Sequence, residues 1–210
     1  MSARKPAESR RREIAEAALK VIAEQGLARF TSLAIAREVG VSDAALFRHF
    51  PTKEAIVLAA IDRVEEVLFA GFPPSGADPL ERLGRFFQQR ILVIRENPGV
   101  ARLMGSEQLA QAAPPEGVAR VAGFRRRSQA FVHACLVEAH RRGLLAEGLG
   151  TEEAAVLVLG AILSLAHHAP PGAGSAARLP ERVWGALERL LRRPGRSAAA
   201  GRLRPVPSAR

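Results

Sequence analysis

Residues 30–56, FTSLAIAREVGVSDAALFRHFPTKEAI, contain two short helical patterns separated by a glycine. Thr31 is a capping residue at the start of the first pattern, and Gly40 ends it. Ser42 caps the second pattern, which ends before Pro51 because a proline ring disfavours helix at the residue before it. Two helices joined by a tight glycine turn have the spacing of a helix-turn-helix, whose second helix enters the major groove of DNA.

The second helix of this motif has two faces with different expected roles. Leu46 and Phe50 lie one turn apart and share a face, which we expect to be buried. The side chains that point elsewhere predict a binding surface. They are Asp43, Ala44, Phe47, Arg48 and His49.

Helical periodicity extends along most of the chain, and no alternating run of β-branched or aromatic residues indicates a strand. We therefore predict an all-α protein. A loop rich in glycine and proline at 71–77 follows the first four helices. Helices are predicted at about residues 8–25, 31–40, 42–50, 53–70, 79–96, 99–111, 116–143, 152–168 and 179–193.

The net charge of +10 is concentrated at the two ends of the chain. Residues 1–53 hold ten Lys or Arg against six acidic residues, and residues 193–210 hold five Arg and no acidic residue. A basic end is expected where a phosphate backbone is bound, although a solvated disordered tail has the same composition.

Composition also excludes several classes of protein. The apolar runs are shorter than the roughly 20 residues of a membrane span, and no signal peptide is visible, so we expect a cytoplasmic, nucleoid-associated protein without membrane contact. The lone cysteine excludes a disulfide framework and a Cys-based zinc cluster, and the histidines find no third ligand. We predict no metal site and no cofactor. We also expect no enzyme activity, since the chain lacks a phosphate loop, a nucleophile elbow and paired carboxylates.

The string in residues 30–56 closely resembles the DNA-binding domain of the TetR family of bacterial transcriptional regulators. That family's pattern is roughly Thr-Thr, Ile-Ala, Gly-Val-Ser, Leu-Tyr-x-His-Phe and Ser/Thr-Lys-Glu, and the match covers about residues 8–70. The resemblance implies that residues 1–52 form a helix-turn-helix DNA-binding domain with a basic arm and that residues 53–193 form a helical regulatory and dimerisation domain. Residues 194–210 lack helical periodicity and apolar bulk, which predicts a disordered basic tail.

The resemblance also implies which residues hold the DNA backbone. Thr31 and Ser32, at a helix N-terminus, would bind a phosphate through hydroxyl and amide groups. His49 and Lys53 would hold further phosphates, as their counterparts do in the family. The three arginines at 10–12 would reach an adjacent phosphate or the minor groove.

The resemblance further implies that the second helix of the motif, the recognition helix, contacts the DNA bases. Ser42, Asp43 and Ala44 open it, where base edges are usually reached, and Arg48 suits a bidentate contact to guanine. Asp43 either accepts from a cytosine amino group or only favours the helix dipole. Phe47 replaces the family's usual tyrosine, so a phosphate-binding hydroxyl is missing or the ring contacts a thymine methyl instead.

In the family the C-terminal helices dimerise and bind ligand. The resemblance implies a homodimer formed by the last two helices, and a pocket for a small-molecule effector. Each candidate pocket residue could instead be plain core. Arg90 is the most suggestive, because a buried arginine needs an anionic partner, but it could also be solvated or salt-bridged. The candidates are Phe86, Arg90, Met104, Phe124, Phe131 and Cys135.

Two functions remain open at this level. The leading one is a repressor that binds a near-palindromic double-stranded operator as a homodimer and is released by ligand. The alternative comes from a likeness to nucleoid-occlusion members of the family, in which a protein partner takes the place of the ligand. A pocket too small or too tightly packed for a ligand would favour this alternative.

Overall fold

A computed structural model describes residues 7–167 and 178–194 of the chain. The described residues form α-helices and no strand, apart from an isolated bridge between Leu145 and Arg192. The predicted all-α class is confirmed. The helices are α1 (Ala7–Gln25), α2 (Ser32–Val39), α3 (Asp43–His49), α4 (Lys53–Phe69), α5 (Pro79–Glu96), α6 (Pro98–Gly105), α7 (Leu109–Ala112), α8 (Pro115–Arg141), α9 (Thr151–His167) and α10 (Leu179–Leu191). The predicted tail, 194–210, lies outside the described residues except for Pro194.

One predicted helix is wrong in its extent. Residues 99–111 form two helices, α6 and α7, because the chain leaves helical geometry at Ser106, the extended residue that caps the end of α6. Its hydroxyl accepts a hydrogen bond from the Gln108 amide at 3.2 Å. Serine side chains compete with helix in this way. A short 3₁₀ turn at Leu27–Arg29 was also not predicted.

Three hydroxyl caps start the helices of the N-terminal domain. Thr31, Ser42 and Thr52 accept hydrogen bonds from the backbone amides three residues later, at 3.1 to 3.2 Å. Gly40 ends α2 with φ of 72°, a left-handed conformation that is strained for residues with a Cβ. The predicted turn between α2 and α3 therefore forms with the expected residues.

The core has two clusters. The first joins α1 to α4 with α6, α7 and the first half of α8, and it contains Leu46 and Phe50, which are 0% and 1% exposed as predicted. The second joins α5, the second half of α8, α9 and α10. The first cluster includes residues of α4 and of α8 up to Phe124. The two clusters therefore do not separate at the predicted domain boundary between residues 52 and 53. That boundary stays a prediction.

An ion pair closes the second cluster at one end. Asp78 accepts hydrogen bonds from the amides of Leu80 and Glu81 at the start of α5, and its other oxygen lies 2.9 Å from Nη1 of Arg192 after α10. Burial works to raise the pKa of Asp78, but the Arg192 pair and the amides together lower it. The contact ties the start of α5 to the end of α10.

In the described part of the chain, no helix combines the length and the apolar character that crossing a membrane requires.

Candidate DNA-binding surface and ligand cavity

The outer face of α3 is presented to solvent. Ser42, Asp43, Ala44 and Arg48 are exposed, and Phe47 is 37% exposed although it is a large apolar side chain. The anchors Leu46 and Phe50 are buried on the opposite face. The residues predicted to reach base edges therefore share one accessible surface.

The capping hydroxyls remain competent to bind phosphate. A hydroxyl has one proton and two lone pairs, so accepting an amide hydrogen bond leaves the proton of Thr31 or Ser42 free for donation. The first amides of α2, including that of Ser32, have no carbonyl partner within the helix. Helix N-termini with free amides attract anions. Thr52, which caps α4 in the same way, was not among the predicted contacts.

Two cations lie on aromatic rings beside the recognition helix. The guanidinium of Arg11 is 4.6 Å from the ring centre of Phe50, and Nζ of Lys53 is 5.5 Å from that of Phe30. Both rings are buried, so they fix the position of the charges above them. Lys53 is a predicted phosphate contact, and so is His49, which is half-buried.

The predicted arginine cluster at 10–12 does not act as one unit. Arg10 and Arg12 pair with Glu13 and Glu16 on their own helix, at 2.9 and 3.4 Å. Arg11 instead contacts Phe50, the residue that follows α3. Of the three, Arg11 is thus the one joined to the recognition helix.

A half-open cavity of about 400 Å³ lies in the C-terminal part of the fold. Five helices line it with mainly apolar side chains, and the described lining contains no carboxylate. Polar atoms come from α5 and α8. The lining residues are Leu68, Phe86, Arg90, Ile94, Val100, Ala101, Met104, Gly105, Arg125, Ser128, Gln129, Leu159, Ile162, Leu163 and Ala166.

Arg90 is a buried cation in this lining, with 7% exposure. Its Nη2 donates to the Ser128 hydroxyl at 3.2 Å, and its guanidinium lies 5.2 and 5.0 Å from the ring centres of Phe69 and Phe86. Its buried Nε has no hydrogen-bond partner in the described part of the chain. Burial, with repulsion from Arg127, lowers the pKa of Arg90 to about 10, so it remains charged at neutral pH.

Of the six predicted pocket residues, three line the cavity and three do not. Phe86 and Met104 line the cavity with Arg90. The other three face elsewhere. Phe124 belongs to the first core cluster, and Phe131 packs against Phe72 and Phe86 with ring centres 5.1 Å apart in each pair.

Cys135 is the third residue that does not line the cavity. It is buried in the second cluster next to Arg82, and burial raises the pKa of its thiol despite the nearby guanidinium. A protonated buried thiol is unreactive. Helical spacing placed these side chains on the correct helices, but not on the face that meets the cavity.

The outer face of α9 is apolar, and several of its side chains are exposed in the part of the chain that the structure describes. Val156, Leu157 and Leu163 are 70%, 44% and 62% exposed, while Ala154 and Val158 on the opposite side are fully buried. Leu190 of α10 is 64% exposed. A helix of a monomer is expected to expose polar residues on its outer face.

Comparisons with known proteins agree with this architecture. Residues 14–60 match the family model described as bacterial regulatory proteins, tetR family. The nucleoid occlusion factor SlmA of Vibrio atlanticus is 38% identical over 106 residues, which are 48% of this chain and 54% of that protein. The factor of the same name from a Marinomonas species is 35% identical over 104 residues, 48% and 53% of the two chains. The chain thus spans about half the length of the curated relatives it matches.

Solved structures match over nearly the whole chain. KstR2 of Mycobacterium tuberculosis, a ketosteroid transcriptional regulator, superposes with a TM-score of 0.75 at 22% identity, covering 88% of this chain and 95% of that one. PfmR of Thermus thermophilus gives 0.71 at 24% identity, covering 88% and 96%. AibR, solved with isovaleryl coenzyme A and operator DNA, gives 0.71 at 20% identity, covering 84% and 97%. The helix-turn-helix thus matches the tetR family of bacterial regulatory proteins in sequence, and the chain shares its fold with solved TetR-family regulators such as PfmR.

Proposed function

We propose that the protein is a homodimeric repressor that binds a near-palindromic operator and leaves it when a small molecule fills the cavity. The observation that carries this proposal is the combination of an exposed recognition helix with a separate apolar cavity. Arg48 would read guanine, while the caps of α2 and α3 and the Lys53 ammonium would hold phosphates. The protein would act by binding and release, without enzyme chemistry.

The apolar outer face of α9 supports the dimer. Val156 and Leu163 are seven residues apart, hence on one helical face, and each is more than half exposed. A second copy covering this face would bury them. It would also provide two recognition helices, which read half-sites about 34 Å apart along the DNA.

Helix α6 connects the cavity with the DNA-binding domain. Val100, Ala101 and Met104 line the cavity, while Gly99 packs so closely on α1 that a Cβ there would lie 2.2 Å from the Leu19 carbonyl oxygen. A ligand that moves α6 therefore presses directly on the α1 backbone, which packs against α3. Ligand can shift the equilibrium only through its different affinity for two such states.

Selection of bound duplexes from a random pool, repeated at rising salt, tests the DNA-binding part. A palindromic consensus that persists while affinity falls with salt is the expected result. Enrichment of no sequence would leave backbone binding alone and would contradict the operator.

Val156→Glu tests the dimer by sedimentation. A charge in the interface should give monomers and weaken binding to the full palindrome. The matched control is Leu92→Glu, because Leu92 is an apolar residue of similar exposure, 55%, on a different helix, α5. Monomers from both variants, or from neither, would contradict this interface.

A second candidate is a DNA-bound interaction protein of the nucleoid-occlusion type, favoured by the similarity to SlmA proteins over half the chain. The cavity argues against it, since about 400 Å³ lined by apolar side chains is within the range of ligand sites. If a selected duplex is released by no compound of a broad metabolite panel, the second candidate is preferred.

A further inference from the structure

The cavity combines an apolar wall with one buried positive charge that lacks an acidic partner. Arg90 is only 7% exposed, yet no carboxylate pairs with it in the described part of the chain. Other buried or half-buried arginines are paired: Arg192 with Asp78 and Glu188, at 2.9 and 2.8 Å. A buried charge is costly unless it is paired and hydrogen-bonded.

The existing contacts of Arg90 leave hydrogen-bonding capacity unused. A guanidinium has five N–H donors, whereas the structure gives Arg90 one hydrogen bond, to Ser128. That hydroxyl already donates to the Phe124 carbonyl, so it is fixed in place as an acceptor. The rings of Phe69 and Phe86 attract the charge but accept no bond at Nε.

The surroundings favour an anion over a neutral acceptor. Arg127 is close enough to oppose the charge of Arg90, and Arg125 lines the cavity while donating to the Met104 carbonyl. The local field is therefore positive. A carboxylate accepts two parallel N–H bonds from one edge of a guanidinium, which makes it the best-matched small anion.

The size and polarity of the rest of the cavity limit the ligand further. At about 30 Å³ for each group of the size of water, 400 Å³ holds about a dozen non-hydrogen atoms. Apart from Arg90 and the α8 residues Arg125, Ser128 and Gln129, the lining is apolar, with side chains such as Ile94, Val100 and Ile162. A ligand with one charged end and a hydrocarbon body fits this division.

We infer that the effector is an amphipathic carboxylate with a hydrocarbon chain of about eight to twelve carbons, its carboxylate bound by Arg90 and its chain lying among the apolar side chains of α5, α6 and α9. This inference rests on the proposed function, because it specifies the chemistry of the ligand that would release the operator.

Calorimetric titration of the full-length protein with decanoate, decanol and acetate tests both halves of this description. Decanol has the chain without the charge, and acetate has the charge without the chain. Decanoate should bind about ten- to a hundred-fold more tightly than decanol, since a hydrogen-bonded charge contributes about 1.5–3 kcal/mol and tenfold is 1.4 kcal/mol. It should bind at least about a hundred-fold more tightly than acetate, since acetate has no hydrocarbon chain to bury. Equal binding of decanoate and decanol, equal binding of decanoate and acetate, or no binding of decanoate would each overturn the inference.

Substitutions separate a ligand contact from a general effect on folding. Arg90→Met should remove the preference for decanoate while decanol binds as well as before, and Arg90→Lys should restore part of the preference. The control Arg85→Met, at an exposed arginine of the same helix outside the cavity, should bind like the wild type. Loss of both ligands in Arg90→Met, with thermal unfolding unchanged, would contradict a charge-specific role.

Release of a selected duplex distinguishes this inference from the proposed function. If decanol or another neutral compound releases the duplex while decanoate does not bind, the ligand class is overturned and ligand release stands. If decanoate binds through Arg90 but leaves DNA affinity unchanged, the carboxylate site is supported and ligand release is overturned.

Discussion

Replacing Arg90 by methionine removes a charge that burial makes costly. Burial and repulsion from Arg127 lower the pKa of Arg90 from its ordinary value to about 10, a shift of more than two units. Each unit of pKa corresponds to about 1.4 kcal/mol, so the charged guanidinium costs the folded, ligand-free protein about 3 kcal/mol. Because folding lowers the pKa of this cation, the cost is fully present below pH 10 and disappears as the pH rises from there towards the ordinary pKa of arginine.

The substitution also removes contacts that the guanidinium of Arg90 makes. The stacking of the guanidinium on Phe69 and Phe86 contributes about 1 kcal/mol for each ring, and the hydrogen bond to Ser128 about 1.5 kcal/mol. These losses nearly offset the removed cost. We therefore expect the free energy of unfolding of Arg90→Met to stay within about 1 kcal/mol of the wild type, unlike the 3–5 kcal/mol lost when a buried ion pair is broken.

Urea unfolding of the ligand-free protein, followed by circular dichroism at one fixed protein concentration, measures this difference. Arg192→Met is the matched comparison, because the guanidinium of Arg192 pairs with both Asp78 and Glu188. The free energy of unfolding of Arg192→Met should fall by about 3 kcal/mol relative to the wild type. An equal loss in Arg90→Met would show that a structural anion holds Arg90, and would refute the reasoning.

Three further predictions concern other parts of the molecule. Asp78→Asn keeps the helix cap but breaks the pair with Arg192, so the free energy of unfolding in urea should fall by about 2 kcal/mol at neutral pH. Because the pKa of Asp78 is lowered in the folded protein, this difference between variant and wild type should vanish as the pH falls through and below 3.8. Gly99→Ala should destabilise the protein by about 1–3 kcal/mol and alter DNA affinity, whereas Gly105→Ala, whose Cβ meets open space, should leave stability nearly unchanged. Arg48→Ala should cost about 1–3 kcal/mol in duplex binding and relax one position of the selected consensus, and a uniform loss over all sequences would assign Arg48 to phosphate instead.

The DNA-binding half could be predicted closely from the sequence because its signals are local. Caps such as Thr31 and Ser42, the turn at Gly40 and the one-turn spacing of Leu46 and Phe50 all act within a few residues. The contact between Arg11 and Phe50 could not be predicted in the same way. It joins residues 39 apart in the chain, and only the packing of α1 on α3 brings them together.

The residues that line the cavity could hardly be predicted from the sequence, because they depend almost entirely on such long-range contacts. Periodicity assigned Phe86, Phe124 and Phe131 to the correct helices, but which of them lines the cavity depends on how α5 and α8 are rotated against their neighbours. For Arg90, the most suggestive candidate, the sequence left open a solvated or a salt-bridged side chain as alternatives. Whether a carboxylate lies near a given arginine is a property of the tertiary fold, and here none does in the described residues.

The missing acid at Arg90 connects the stability of the protein with the choice of its ligand. A cost of about 3 kcal/mol in the ligand-free state is relieved only by a group that pairs with the guanidinium, so an anion gains both its own hydrogen bonds and that relief. A neutral ligand of the same size fills the apolar space but leaves the charge unpaired. The arginine therefore favours anionic ligands mainly by making the empty cavity unfavourable, and an acid placed beside it would stabilise the fold while removing this selectivity.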